Sequence, residues 1–264
     1  MEQAQDFLAE CEALAAIVEG LEDRDFERQT QFKNWTINDV LVHLHFWNSA
    51  ADLSLTDPDA FKAMLASLMG ALRSGGLRAH ENARISERGK DLVAAWQGFY
   101  REMGPRWAAL DPKTRVEWAG PSMSVRSSMT ARQMETWAHG HEIFDLAGIK
   151  RREKDQIRNV VVLGVNTFGW TFKVRGWDVP EKTPYVSLKL PSGTAADFGD
   201  TGGEDSVSGS AVEFAQVVTQ TRNVADTQLE VRGPVATAWM ENAQCFAGPP
   251  ETPPAPGTRY LQNP

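Results

Sequence analysis

Cysteine is nearly absent from this chain. Its 264 residues include two, Cys11 and Cys245, near opposite ends. That excludes a disulfide framework and any chemistry built on CxxC pairs, and each cysteine lies in an apolar pattern that reads as helical. Basic runs are also missing. With 27 Lys and Arg against 35 Asp and Glu, the formal charge is −8 and the pI is near 5.2, which argues against nucleic acid or an anionic membrane as the main partner. No apolar run approaches the length of a bilayer span. The first 25 residues carry acid from position 2 and lack both a basic leader and a small-residue cleavage site, so the chain reads as cytoplasmic. What it does have is apolar residues, 42% of the total, enough to bury one large core or two ordinary ones.

Helical periodicity dominates the first half. Phe7, Leu8, Cys11, Leu14, Ala15 and Val18 recur at three- and four-residue spacing and predict an amphipathic helix. A polar loop, LEDRDFERQTQFKNW, then delivers Trp35 to a second helix. There Thr36 and Asp39 form a capping-box pair and Val40, Leu41, Leu44, Trp47 and Ala51 form the stripe. Asp57-Pro58 opens a third helix as N-cap followed by proline at the first helical position, and Ser74-Gly75-Gly76 ends it. His80 falls in a polar stretch, RAHENARISERGK, and is read as a surface residue. Residues 90–110 give a fourth helix with Pro105 as a kink. Residues 115–130 read as a loop with extended pieces, leading into a helix at 130–148 with Thr130 as N-cap and Gly148 as C-terminal cap.

That last helix carries the most suggestive spacing. Glu135 and His139, four residues apart, lie roughly 40° apart around the axis and can grip one ion. His141, two residues further, points away. A catalytic metal site needs a third donor. The second helix offers His43 and His45, again two apart, so at most one of them can share the site. His43 is preferred because it lies one turn from both Asp39 and Trp47, close to the apolar stripe. A lone histidine there would more commonly be a buried residue bonded to a neighbour.

After residue 150 the pattern changes. Residues 155–172 predict one more helix, YVSLKL and TAADF a hairpin, VSGS an extended piece, residues 211–219 a helix, residues 228–232 a last strand, and VATAWMENAQCFAG a closing helix. The expected organisation is α+β: a helical bundle at 1–150, a small α+β domain at 151–250 and a proline-rich tail at 251–264, extended over the surface or disordered.

NWTINDVLVHL around His43, together with METWAHG around Glu135 and His139, resembles the mycothiol-dependent maleylpyruvate isomerase family within the wider group of DinB-like metal-binding four-helix bundles. VSGSAVEFAQVVTQTR and GPVATAWMENAQCFAGPP resemble the small, sterol-carrier-like domain that follows the bundle in such proteins. The resemblance implies that His43, Glu135 and His139 are the three metal ligands. It also implies thiol-assisted chemistry with a low-molecular-weight thiol such as mycothiol or glutathione.

Two imidazoles and a carboxylate match the donor set of catalytic zinc sites, with a coordination position left open. Zinc is the default, although Fe, Ni or Co also suits such ligands. The favoured function is a metal-dependent isomerase or thiol transferase acting on a small carboxylate-bearing molecule. The alternative is a metal-containing protein that binds an apolar or acyl ligand without turnover. Arg126, Arg132 and Arg222 offer guanidinium groups for a carboxylate. Arg222, which follows an apolar helix in the family-like stretch, is the candidate catalytic residue. Trp47 and Trp137 are expected to line the site, and Asp145 and His141 to form a solvent-facing pair.

Overall fold

The apolar stripe of the first residues forms α1 (Glu2–Val18), which buries Phe7, Cys11, Leu14, Ala15 and Val18. This is a computed structural model of the chain and describes residues 1–72 and 76–263; the predicted helix stop at Ser74 and Gly75 lies outside them. A short 3-10 turn, Asp23–Glu27, leads to a bridge between Gln29 and Thr36. There Thr36 Oγ1 accepts from the Asp39 amide at 3.1 Å and Asp39 Oδ2 accepts from the Thr36 amide at 3.0 Å. This reciprocal cap starts α2 (Ile37–Thr56). Asp57 Oδ1 accepts from the Ala60 amide at 3.0 Å and begins α3 (Pro58–Leu72).

Beyond these come α4 (Leu77–Arg84), α5 (Gly89–Ala108, with Pro105 inside), a two-strand ribbon of β1 (Arg115–Val116) and β2 (Met123–Ser124), and α6 (Val125–Ala147). Helices α1 and α2 both pack on α5. Their shared core includes Phe7, Leu41, Trp96, Tyr100 and Trp107, together with Val125, Met129 and Ile143 of α6. The chain folds as two compact units, Met1–Leu146 and Ala147–Pro264.

The second unit is built on a four-stranded sheet in the order β4-β3-β5-β6. Strands β3 (Tyr185–Lys189) and β4 (Ala195–Phe198) form the expected hairpin. β5 (Ser206–Ser210) runs parallel to β3, and β6 (Glu230–Arg232) antiparallel to β5. Helix α7 (Arg158–Asn166) packs on α9 (Ala211–Val218), with α8 (Phe168–Lys173) and α10 (Pro234–Met240) beside them. Phe214 and Trp239 meet with ring centroids 5.6 Å apart in the buried interior.

Three expectations need correction. Helix α6 begins at Val125 rather than after Thr130, because Ser124 Oγ accepts from the Ser127 amide at 3.1 Å and caps it earlier. The single helix expected over 155–172 is a 3-10 turn followed by α7 and α8. Its break falls at Thr167, whose hydroxyl donates back to the Leu163 carbonyl at 2.8 Å. The closing helix stops at Met240, so Cys245 is not helical; its amide donates to the Val218 carbonyl. The tail has no regular structure, yet it is tied down. The Glu251 amide donates to Gln244 Oε1, Asn223 Nδ2 to the Pro254 carbonyl, and the Gly257 amide to the Asp226 carboxylate.

Candidate metal centre

His43 projects from the second turn of α2, and Glu135 and His139 project from one face of α6. Glu135 Oε2 stands 3.5 Å from His43 Nε2 and 3.4 Å from His139 Nε2. One donor atom from each residue lies within 4.8 Å of the other two, a grouping that could hold one cation. His45 instead packs on Phe99, with centroids 5.5 Å apart, and His141 lies beside Trp137 at 4.4 Å. The helical phases that separate the members of each pair are those the spacing dictates.

Helix α4 supplies a residue the sequence reading missed. Glu81 Oε1 accepts from Trp47 Nε1 at 2.7 Å and bonds His43 Nδ1 at 2.9 Å. A carboxylate on Nδ1 favours a proton on that nitrogen and leaves Nε2 turned toward Glu135. Burial works against a charged His43. The charges and hydrogen bonds of Glu81 and Glu135 outweigh it, and the imidazole is raised to about 9. Burial likewise opposes ionisation of Glu135, but the hydrogen bonds from His139 and His43 hold its carboxyl well below the usual range. His139 is lowered by burial, which its bond to Glu135 only partly offsets.

The walls are aromatic. Trp35 stacks on His139, with centroids 5.7 Å apart and planes 3° from parallel, and Phe32 meets the same imidazole edge-on at 5.1 Å. Both rings come from a tight turn in which Lys33 and Asn34 hold positive φ of 49° and 56° and the Trp35 amide donates to the Phe32 carbonyl. Two adjacent left-handed residues without glycine cost energy, so this turn is held by its surroundings. Trp47 lies 6.3 Å from His43 and 5.6 Å from Trp118.

Other expectations fare differently. His80 is buried in α4 near Phe46, not on the surface. His141 and Asp145 are also buried, at 4% and 3% exposure, because 16 of the 23 residues of α6 are covered and the helix has no solvent face to offer them. Trp137 lies against His141, whereas Trp47 is bonded to the cluster through Glu81. Arg126 is exposed. Arg222 belongs to the second unit, where its Nη1 donates to the Thr221 carbonyl at 2.8 Å. Arg132 is buried one turn before Glu135. An apolar stripe could not reveal Glu81, since the only buried residues of α4 are His80 and Glu81.

Comparison with known proteins places these features in context. Residues 7–144 match the family described as mycothiol maleylpyruvate isomerase N-terminal domain. An uncharacterised protein found in two strains of Mycobacterium tuberculosis is 32% identical over 248 residues, covering 93% of this chain and 95% of that protein. Among solved structures, a crystal structure of mycothiol-dependent maleylpyruvate isomerase aligns with TM-score 0.52 at 15% identity, and one of its histidine-to-alanine mutants with TM-score 0.51 at 16%. Each covers 82% of this chain and 87% of the other. At that identity the likeness is one of fold.

Proposed function

The chain belongs to the mycothiol maleylpyruvate isomerase N-terminal domain family, and from that membership and the site geometry we propose that it is a metal-dependent, thiol-assisted isomerase or thiol transferase. The observation that carries the reading is the convergence of His43, Glu135 and His139 from two helices. We propose these three as the ligands of a divalent cation, zinc by default, with a low-molecular-weight thiol as co-substrate. Two imidazoles and a carboxylate are the right donors for it, and each histidine turns Nε2 to the same carboxylate oxygen. A cation held by three protein ligands would lower the pKa of a bound thiol or water and polarise a substrate carbonyl.

The chain's own contribution is positioning. Glu81 fixes the tautomer and the ring plane of His43. Trp35 and Phe32 clamp His139 and keep water from that side. The proposed substrate is small and carboxylate-bearing, and Arg222 is a proposed carboxylate-binding residue of the second unit taken by itself. The test has two parts. Protein purified without chelator is analysed for metal, expecting one equivalent. Wild type and Glu135→Ala are then assayed with unsaturated keto acids in the presence of mycothiol or glutathione. Full turnover by a metal-free Glu135→Ala would defeat the proposal.

A further inference from the structure

Helix α6 places a third polar residue, and a cationic one, on the face that carries Glu135 and His139. Arg132 precedes Glu135 by three residues and His139 by seven, so all three lie within roughly 60° of one another around the axis. A second, independent route leads to the same place. The Arg132 guanidinium lies over the Trp118 ring at 5.2 Å, Trp118 lies 5.6 Å from Trp47, and Trp47 is bonded to the carboxylate that holds His43. The side chain therefore joins the run of aromatic rings that reaches the Glu81–His43 pair.

This arginine is under-used by the protein. It is only 4% exposed, and its Nε is buried with no acceptor among the described residues. A buried guanidinium nitrogen lacking an acceptor is costly, and one kept at a site edge fits an anion that arrives from outside. Charge balance points the same way. A divalent cation and the Arg132 guanidinium, set against the carboxylates of Glu81 and Glu135, leave one net positive charge in a buried site with neutral imidazoles. A carboxylate ligand would neutralise it. The Trp118 contact holds the guanidinium without using its N–H groups, and a forked pair of bonds from them suits a carboxylate.

We infer that Arg132 is the substrate-recognition residue of this site: a planar carboxylate binds its guanidinium fork beside the His43, Glu135 and His139 cluster. The inference rests on the metal-site reading for its location but not for its test. Pyruvate, maleate and the uncharged methyl pyruvate are titrated calorimetrically into zinc-loaded wild type, Arg132→Met and Arg132→Lys, and zinc affinity is measured on each protein by chelator competition. The expected result is carboxylate binding that methyl pyruvate does not show. It should weaken about 10-fold or more in Arg132→Met and less in Arg132→Lys, which keeps the charge but loses the fork, with zinc affinity held. Equal carboxylate affinity in wild type and Arg132→Met, or none in wild type, overturns the inference. If wild type holds no zinc, the metal reading fails by itself, and the same comparison on the metal-free protein decides the role of Arg132. If Arg132→Met does not fold, Arg132→Lys decides, since an unchanged affinity in that variant rules out the fork.

Discussion

Glu81 and His43 stand 38 residues apart in sequence, yet their Oε1 and Nδ1 atoms meet at 2.9 Å with both side chains under 10% exposed. The bond ties α4 to α2 and aims the other ring nitrogen at Glu135. The same oxygen also takes the Trp47 indole N–H.

Removing that carboxylate is expected to loosen the proposed metal site without removing a proposed ligand. Glu81→Ala should lower zinc affinity by about 10- to 100-fold, the usual effect of losing an outer-shell partner of a ligating histidine. Glu81→Gln should lose less, since an amide oxygen can still accept from Nδ1. Competition with a chromophoric chelator measures both. Unchanged affinity in Glu81→Ala would show that His43 needs no orienting partner.

The cap that starts α2 has a measurable worth. Thr36→Ala deletes the side chain that accepts from the Asp39 amide, and it should cost about 0.5–2 kcal/mol, with Thr36→Ser losing only a fraction of that. Urea unfolding followed by circular dichroism compares the three proteins.

How much of this was readable beforehand depended on whether the signal was local. Caps are local, and the Thr36–Asp39 and Asp57–Pro58 starts follow from three or four adjacent residues. The spacing of Glu135 and His139 is equally local, because a helix fixes their angle. Glu81 was hidden for the opposite reason: α4 has no apolar stripe, and the residue earns its burial through a partner on another helix. His141 and Asp145 are buried where the sequence predicts a solvent-facing pair, because period arguments assume one covered face, whereas α6 is covered on most sides. The parallel pairing of β3 with β5 is also non-local, since alternation marks a strand but names no neighbour.

Close packing gives a stability prediction far from the site. A Cβ built on Gly104 of α5 would stand 2.5 Å from Leu8 Cγ of α1, so Gly104→Ala should destabilise the protein by about 1–3 kcal/mol through overpacking. Adding Leu8→Ala removes the clash. In a double-mutant cycle the pair should therefore be less destabilised than the two single changes added together.

Cys11 is expected to be chemically silent. Burial pushes its thiol well above the ordinary value, and the contact with Thr136 Oγ1 at 3.9 Å opposes that only in part. The thiolate is the reactive form, so in a Cys245→Ser background an aromatic disulfide reagent at about pH 8 should label nothing in the folded protein and one equivalent in denaturant. Rapid labelling of native protein would mean that α1 opens readily from α6.

Metal removal supplies the sharpest test of the three-donor cluster. A ligand that binds only the folded state adds stability according to its concentration over its dissociation constant, about 2.7 kcal/mol at a hundredfold excess. For a chain of this size that corresponds to a rise in melting temperature of roughly 5–10 °C. Wild type should show that rise on adding zinc and lose it on adding chelator. Glu135→Gln keeps the shape of the side chain but removes the charge that lies 3.5 Å from His43 Nε2 and 3.4 Å from His139 Nε2. It should fold and melt with no dependence on zinc. The His45→Gln variant separates this from adventitious binding, because His45 packs on Phe99 outside the cluster and its loss should leave the zinc-dependent rise intact. If His45→Gln abolished the rise while Glu135→Gln retained it, the cation would be held elsewhere and the cluster would be a hydrogen-bonded network without a metal role.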